Sequence, residues 1–419
     1  MIDYTTMPQQ KILCIDMKSF YASCSAVMLG LNPLECYLAV VGDVNHEGSI
    51  VLAASPQLKK EYGIKTGSRK FEIPLDDKII VVNPKMRTYL TISTEITRLF
   101  QRYVPPNSIH VYSVDESFIR VDGCENIWGD AMEIARKIKL ELEQTFGLPC
   151  SIGIGPNMLL SKLCLDLEAK KVGISEWTYE DISKKLWPVS PLKEMWGIGS
   201  QTQKSLNRMG IFTVGELANY SLDKLEKKFG IMGSQLYFHA WGIDLSELGE
   251  PVWHSQISFG KSQILMRDYK ERDEIETVIL EMSEEVARRA RTAKKAGRTI
   301  SFGVAYSRDE GGGGFYRSYT LDDPTNITKE IYEVCLKLFN TFYENKIVRQ
   351  IQMALSNIVD DEAMQLNLFA PTRNKERKLG YVVDNIRKRY GSRALLRAVS
   401  YTDAGTAVHR SKLVGGHKE

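Results

Sequence analysis

Three acidic residues at or near the ends of short apolar runs constrain the fold of this 419-residue chain more than any other feature. Asp16 closes the run at residues 11–16, and the pair Asp115-Glu116 lies within the alternating run Ile109–Ile119. Such runs are typical of strands, and a sheet could bring these distant carboxylates together. Because clustered carboxylates repel one another, bound divalent cations commonly offset the cost. The sequence therefore predicts a sheet that carries a two-metal phosphoryl-transfer site.

The acidic pair also has a simpler interpretation. In a regular strand Asp115 and Glu116 would point to opposite faces, so the strand must end or turn there for both to reach one site. An Asp-Glu pair at a strand end is also typical of a solvated turn. The flanking residues are needed to distinguish a metal site from a solvated turn.

Composition excludes several classes of protein. The chain is 43% hydrophobic and 26% charged, which is ordinary for a soluble globular protein of several domains. No apolar run approaches the roughly 20 residues of a membrane span, and the amino terminus lacks a signal-peptide pattern. Seven cysteines without a CxxC motif argue against disulfides and structural zinc. We expect a cytoplasmic protein without a membrane partner.

The charge is distributed unevenly. Residues 370–419 carry 12 Lys and Arg against 4 Asp and Glu, whereas the rest of the chain carries 43 against 48. A second basic cluster falls on what we predict to be one helix: Arg288, Arg289, Arg291, Lys294, Lys295 and Arg298. Basic faces of this kind fit a phosphate backbone, although a solvated helix face would look the same.

The order of the apolar runs predicts an α+β multidomain fold. Up to about residue 177, strands interleave with helices, which favours a mixed sheet with packed helices. Residues 178–243 contain only short helices separated by glycines. Residues 244–253 resemble a linker, and 254–360 follow a β-α-β-β-α-β order.

Two segments carry a resemblance to a known family. Residues 16–24 (Asp-Met-Lys-Ser-Phe-Tyr-Ala-Ser-Cys) and residues 113–117 (Ser-Val-Asp-Glu-Ser) resemble the Y-family of translesion DNA polymerases, most closely the bacterial branch that includes the catalytic subunit of polymerase V. The resemblance runs from about residue 11 to 369. It implies six regions: a palm (10–19 and 86–177), small fingers (20–85), an all-α helix-hairpin-helix thumb (178–243), a linker (244–253), a little finger (254–360), and a clamp-binding motif with a basic tail (361–419).

The resemblance also implies roles at the catalytic site. Asp16 and Asp115 would bridge two Mg²⁺ ions, and Glu116 would complete the coordination of the catalytic metal. The Met17 carbonyl would bind the nucleotide-side metal. Tyr21 falls where the family has its steric gate, a ring that leaves no room for a ribose 2′-hydroxyl. Phe20 beside it would lie at the nucleotide or serve as a core aromatic residue.

Basic residues are implied at the triphosphate. Lys60 and Lys170 fall at the expected positions, and Lys171 is an equally good register for the second. The family often has a tyrosine three residues before the first cation, and this chain has Gln57 there. How the fingers hold the triphosphate is therefore left open.

DNA contacts are implied at two further places. Gly197 and Gly199 of Trp-Gly-Ile-Gly form a helix-hairpin-helix signature whose backbone N–H groups can approach a phosphate, with Lys204 and Arg208 on the same side. Lys261 would contact phosphate from the little finger. The segment around Lys261 lacks the first glycine of a phosphate-binding loop, and residues 153–155 lack the third glycine of a dinucleotide fingerprint, so both alternatives are excluded.

A short motif near the end predicts a protein partner. Gln365, Leu366, Leu368 and Phe369 resemble the peptide by which bacterial polymerases bind the sliding clamp, with apolar side chains entering a pocket and the glutamine at its rim. An amphipathic edge strand would show the same alternation. The implied partners are primed template DNA, dNTPs and the clamp, and we expect a monomer, with accessory subunits left open.

The residues and the resemblance together predict a template-directed, low-fidelity DNA polymerase that bypasses damage. The short fingers segment predicts loose enclosure of the nascent base pair and therefore weak discrimination. A palm-type nucleotidyl cyclase would share the carboxylates but not the thumb or clamp motifs. An inactive clamp-binding DNA module would have no need of all three acidic residues.

Overall fold

The computed structural model describes residues 2–249, 258–361 and 372–418. It divides into two compact units: Met1–Pro251 with His417–Glu419, and Val252–Gly416. Each unit has its own hydrophobic core. No helix in the described ranges is long and apolar enough to cross a membrane.

The first unit contains two sheets. Its strands are β1 (Ile12–Met17), β2 (Tyr37–Val41), β3 (Val51–Ala54), β4 (Ile79–Val82), β5 (Ile109–Val111), β6 (Glu116–Arg120), β7 (Cys150–Gly155) and β8 (Ile174–Glu176). The larger sheet has the order β5-β6-β1-β7-β8 and the smaller β3-β2-β4. β1 is central, antiparallel to both neighbours, and buried except at Asp16, which is half-buried. The end of β1 therefore places a carboxylate at the edge of the core.

Helices surround these sheets and form the last part of the unit. They are α1 (Phe20–Met28), α2 (Pro56–Tyr62), α3 (Met86–Phe100), α4 (Glu125–Trp128), α5 (Ala131–Phe146), α6 (Met158–Cys164), α7 (Lys170–Val172), α8 (Ser200–Asn207), α9 (Val214–Ala218), α10 (Leu222–Phe229) and α11 (Ile231–Ala240). A π-helical turn, Leu165–Ala169, joins α6 to α7. After Glu176 the described residues of this unit contain only helices and loops until His417, as the glycine spacing predicts.

The predicted single strand at residues 109–119 is wrong. β5 and β6 are two antiparallel strands, with Val111 opposite Ser117. The N–H groups of Tyr112 and Ser113 both donate to the Glu116 carbonyl at 3.0 Å, which closes a tight turn between the strands. Asp115 therefore belongs to a turn, and Glu116 begins a new strand.

The second unit confirms the β-α-β-β-α-β order. Its elements are β9 (Phe259–Tyr269), α12 (Arg272–Thr292), β10 (Lys295–Tyr306), β11 (Gly314–Thr325), α13 (Thr328–Phe342) and β12 (Val348–Asp360). The sheet order is β11-β10-β12-β9, with α12 and α13 packed against it. Tyr269, Phe302 and Phe339 are the largest fully buried side chains of its core. The α+β multidomain prediction is confirmed.

The basic cluster does not lie on one helix. α12 ends at Thr292, Lys294 has a left-handed φ of 54°, and β10 begins at Lys295. The turn at Lys294 therefore divides the cluster between a helix, a turn and a strand.

The C-terminal segment packs on the second unit and belongs to it as far as Gly416, whereas His417 and Lys418 are counted with the first unit. Its elements are α14 (Arg373–Tyr390), α15 (Ala407–Arg410), and the short strands β13 (Leu413–Val414) and β14 (His417–Lys418). α14 contacts α12 through an ion pair of 2.6 Å between Arg291 Nε and Asp384 Oδ2. α14 lies within the segment that the charge count indicates to be a basic tail.

Candidate active site

The three carboxylates predicted from sequence lie beside one another on the backbone. Asp16 of β1 is directly opposite Glu116 of β6 in the antiparallel register. The Met17 N–H donates to the Asp115 carbonyl at 3.0 Å, which fixes the turn residue against the end of β1. Because Asp115 precedes the strand, the alternation of strand faces does not separate it from Glu116.

Glu116 is held by a buried lysine. Lys162 Nζ lies 2.8 Å from Glu116 Oε1 and 2.9 Å from Oε2, and the exposed side-chain fractions are 8% and 11%. Cys14 Sγ donates to the same carboxylate at 3.3 Å, and burial, followed by the charge of Glu116, raises the pKa of Cys14 well above its usual value. Burial opposes the charge of Lys162, but its carboxylate partners outweigh burial and raise its pKa.

A second lysine holds Asp16. Lys170 Nζ lies 3.0 Å from Asp16 Oδ2 and 2.8 Å from Asp166 Oδ1, and Lys162 is 3.2 Å from Asp166 Oδ2. Burial raises the pKa of Asp16, with Lys170 opposing it. Burial also disfavours the charged form of Lys170, but the negative charges of Asp16 and Asp166 outweigh burial and raise the pKa of Lys170. Asp166 thus joins the two lysines into one network that neutralises two of the three site carboxylates.

The oxygen atoms available at this site are of the kind that binds a hard divalent cation. Asp16, Asp115 and Glu116 offer carboxylate oxygens, and Met17 offers a carbonyl, which are the ligands that Mg²⁺ prefers. Within the described ranges no three His, Cys, Asp or Glu side chains gather closely enough to hold a metal ion. The side chains instead turn to Lys162, Lys170 and, for Asp115, the Ser113 hydroxyl at 2.7 Å.

The predicted gate residue stands on an aromatic support. Ser19, in the left-handed region (φ 49°), directly precedes α1. The Tyr21 ring stacks on Tyr89 of α3 with centroids 4.7 Å apart and an interplanar angle of 14°. Tyr89 is buried, and its hydroxyl lies 2.6 Å from Ser25 Oγ. Phe20 is buried in the core, so of the two aromatic residues only Tyr21 is partly exposed.

Lysines from two elements surround the carboxylates. Lys170, at the start of α7, contacts Asp16, which favours it over the alternative register at Lys171. Lys60 is exposed on α2. Its neighbour Lys59 donates to Ser19 Oγ at 2.8 Å, and burial lowers its pKa, with Asp16 opposing that shift. The structure therefore adds Lys59 to the cations predicted at this side of the site.

The glycine hairpin lies beside the same lysine. Gly197 has φ 91° and Gly199 is the N-cap of α8, and a side chain at either position would meet open space. The hairpin, together with Asp166 and Lys170, lines one cleft. Lys204 is exposed on α8. An open backbone turn thus lies next to the carboxylate network.

The remaining predicted contacts lie elsewhere. Lys261 is on the face of β9 shared with buried Gln263 and Leu265, whereas Ile264 and Met266 are exposed on the opposite face. Lys261 thus faces the helices of the second unit. The motif formed by Gln365, Leu366, Leu368 and Phe369 lies outside the described residues.

Sequence reasoning missed four residues of the site: Lys59, Tyr89, Lys162 and Asp166. The spacing of Lys162, Asp166 and Lys170 at intervals of four was an available signal, because residues four apart on a helix share a face. Tyr89 gave no signal, since its stacking partner lies 68 positions away in the sequence.

Comparison with known proteins agrees with this arrangement. The impB/mucB/samB family matches residues 15–166, its C-terminal domain matches residues 256–368, and the thumb domain of DNA polymerase-iota matches residues 193–244. Two proteins of Bacillus subtilis (strain 168) are similar over their whole length. The UV-damage repair protein UvrX is 60% identical, covering 100% of both chains, and DNA polymerase IV 2 is 39% identical, covering 98% of this chain and 99% of that one.

A solved structure shows the same fold. A Y-family DNA polymerase chimera of Dbh and Dpo4 aligns with a TM-score of 0.64 at 20% identity, covering 84% of this chain and 99% of that one. Together with the full-length relatives, this establishes that the chain belongs to the Y-family of translesion DNA polymerases, DNA-directed enzymes that bind DNA and dNTPs and depend on a divalent metal.

Proposed function

We propose that this polymerase transfers a deoxynucleotide to a primer 3′-hydroxyl with two Mg²⁺ ions held by Asp16, Asp115, Glu116 and the Met17 carbonyl. The observation that carries the proposal is the pairing of Asp16 with Glu116 across β1 and β6, with Asp115 fixed one residue earlier. Bound Mg²⁺ would make the primer hydroxyl more acidic and neutralise charge on the triphosphate.

The lysines prepare this site for a polyanion. Lys162 and Lys170 offset the mutual repulsion of the carboxylates, so the sheet can hold them close together. Lys170 is shared between Asp16 and Asp166, and a triphosphate would compete with both for its ammonium group. We assign Lys60 and Lys170 to the triphosphate and add Lys59, whose pKa is lowered by burial.

Tyr21 is proposed as the gate that excludes ribonucleotides. Its ring is stacked on buried Tyr89, which limits the freedom of the ring to move away from an incoming sugar. A 2′-hydroxyl would then meet a fixed surface instead of a mobile side chain.

The other regions would supply DNA and a partner. We keep the six-region division, with Gly197, Gly199 and Lys204 contacting the DNA backbone from the thumb; the open hairpin supports this. Residues 365–369 would bind the sliding clamp. We propose that the enzyme acts in the cytoplasm as a monomer.

Primer extension tests the catalytic assignment. Purified protein with Mg²⁺, four dNTPs and a primed template should extend the primer, across an abasic site as well as on intact DNA. The double variant Asp115→Asn/Glu116→Gln should lose at least about a thousandfold in rate, since ligands of both metals are removed. DNA binding by the variant, measured by fluorescence anisotropy, should stay unchanged. An active double variant would overturn the assignment.

The clamp assignment has a separate test. Leu368→Ala/Phe369→Ala should reduce synthesis stimulated by the clamp, because both side chains would fill its apolar pocket. Synthesis without the clamp should be unaffected. Equal loss with and without the clamp would indicate that this segment has a structural role in the little finger.

A further inference from the structure

The helix-covered side of the second unit contains a large charged cavity. It lies between α12 and the C-terminal segment and has a volume of about 790 Å³. This is the size range of sites for small molecules and cofactors. Seven Lys or Arg residues and four Asp or Glu residues contribute to its walls. We call it the basic cavity.

All four acidic residues of the basic cavity are already engaged. Glu285 pairs with Arg288 and Arg289, Glu284 with Arg387 and Arg397, Asp384 with Arg291, and Glu281 accepts from the Thr406 N–H and hydroxyl. None of these contacts involves Lys261, Lys388 or Arg410. Three cations of the cavity wall are therefore outside these ion pairs.

Two of these cations, Lys261 and Arg410, are half-buried in the cavity wall. Burial, and then the charge of Arg410, lowers the pKa of Lys261 to about 8. The charge of Arg289 also lowers the pKa of Lys261, whereas Glu285 and Glu281 raise it. Burial also lowers the pKa of Arg410. Like charges that line one cavity repel each other, and an anion bound between them would offset that repulsion.

We propose that the basic cavity binds a small ligand bearing a diphosphate or triphosphate group, with Lys261 and Arg410 as its contacts. Three cations outside the ion pairs match the charge of such a group, and Arg and Lys are the side chains that bind phosphate oxygens. The site is concave and walled by α12, α14 and α15, which suits a compact ligand better than an extended strand. It is separate from the polymerase site, which lies in the other unit.

Calorimetric titration of the full-length protein with pyrophosphate, in buffer with EDTA at pH 7, tests this proposal. We expect one binding site. Lys261→Met and Arg410→Met should each weaken binding at least about tenfold, as expected for loss of a charge-assisted contact. Lys270→Met, a change of an exposed lysine of the same unit, is the matched control and should bind as the wild type does. Melting curves establish that each variant is folded.

Three results would overturn the proposal. The first is absence of pyrophosphate binding by the wild type, and the second is unchanged affinity in both variants. The third is loss of binding on Lys170→Ala, which would place the pyrophosphate in the polymerase site. If instead an oligonucleotide, but not pyrophosphate, binds in a Lys261-dependent way, the ligand is a DNA strand and the small-ligand proposal is wrong.

The pH dependence adds a readout that a merely structural lysine would not show. Only protonated Lys261 can contact the anion, and with a pKa of about 8 its charged fraction falls about tenfold from pH 7 to pH 9. Affinity should fall in proportion. Lys261→Arg stays charged and should bind equally at both pH values; a parallel fall in this variant would contradict the assignment to Lys261.

Discussion

At the scale of single residues, the active site is organised by lysines as much as by carboxylates. Lys162 and Glu116 form a nearly buried ion pair in which both carboxylate oxygens are contacted. Removing one partner of such a pair leaves an uncompensated charge in the interior, which is far more costly than losing an exposed pair. Lys162 should therefore be a determinant of stability as well as a positioning residue for Glu116.

Lys162→Met should lower the free energy of unfolding by about 3 kcal/mol, measured by urea denaturation in metal-free buffer. The matched control is Lys11→Met. Lys11 pairs with Glu176 at 3.1 Å, but the two side chains are 48% and 32% exposed, so the loss should stay below about 1 kcal/mol. Equal losses in the two variants would show that Glu116 does not depend on Lys162.

We also assign sugar selection to one residue, Tyr21. Tyr21→Ala should lower the preference for dNTP over NTP, expressed as the ratio of kcat/KM values, by about 10–100-fold, because the ring that fills the space is removed. Tyr21→Phe keeps the ring and its stacking surface for Tyr89, and should keep the preference. A loss of selectivity in the phenylalanine variant would indicate that the hydroxyl, not the ring, does the excluding.

At the scale of elements, apolar periodicity in the sequence predicts helices and strands, but it does not predict the turns between them. The β-α-β-β-α-β order and the buried run of β1 follow from apolar periodicity. The sequence raises the need for a turn near Asp115 but does not locate it at Tyr112–Asp115, since the turn contains no glycine or proline and is closed by backbone hydrogen bonds to Glu116. The role of Lys162 depends on how α6 packs on the sheet, which local sequence does not encode.

One glycine of β7 shows what that packing requires. A Cβ on Gly153 would lie 2.3 Å from both Leu165 N and Ser161 O, so the strand approaches the helix backbone directly. Gly153→Ala should destabilise the protein by about 3 kcal/mol in urea denaturation. Gly199→Ala is the control: its site is open and its φ of −83° suits alanine, so stability should hardly change. A tolerated alanine at 153 would contradict the close approach.

At the scale of the whole molecule, the chain consists of two units with separate cores. The C-terminal segment, which the charge count alone suggested to be a basic tail, is fixed to the second unit by specific polar contacts. Arg291 is 5% exposed and donates to Asp384 and to the Asn326 carbonyl. The Tyr269 hydroxyl donates to the Ala404 carbonyl at 2.9 Å. Arg387 and Arg397 of the segment both pair with Glu284, so these positive charges near the carboxyl end serve folding.

Because each unit has its own core, we expect calorimetry to resolve two unfolding transitions, and a substitution to move only the transition of its own unit. Arg291→Met leaves Asp384 unpaired in the second unit and should cost about 3 kcal/mol there. At about 2–4 °C per kcal/mol for units of this size, one transition should fall by roughly 6–12 °C. Lys162→Met should instead lower the other transition by a similar amount. If either variant shifts both transitions together, the two units unfold as one, and the fixed C-terminal segment would then stabilise the polymerase site as well as its own unit.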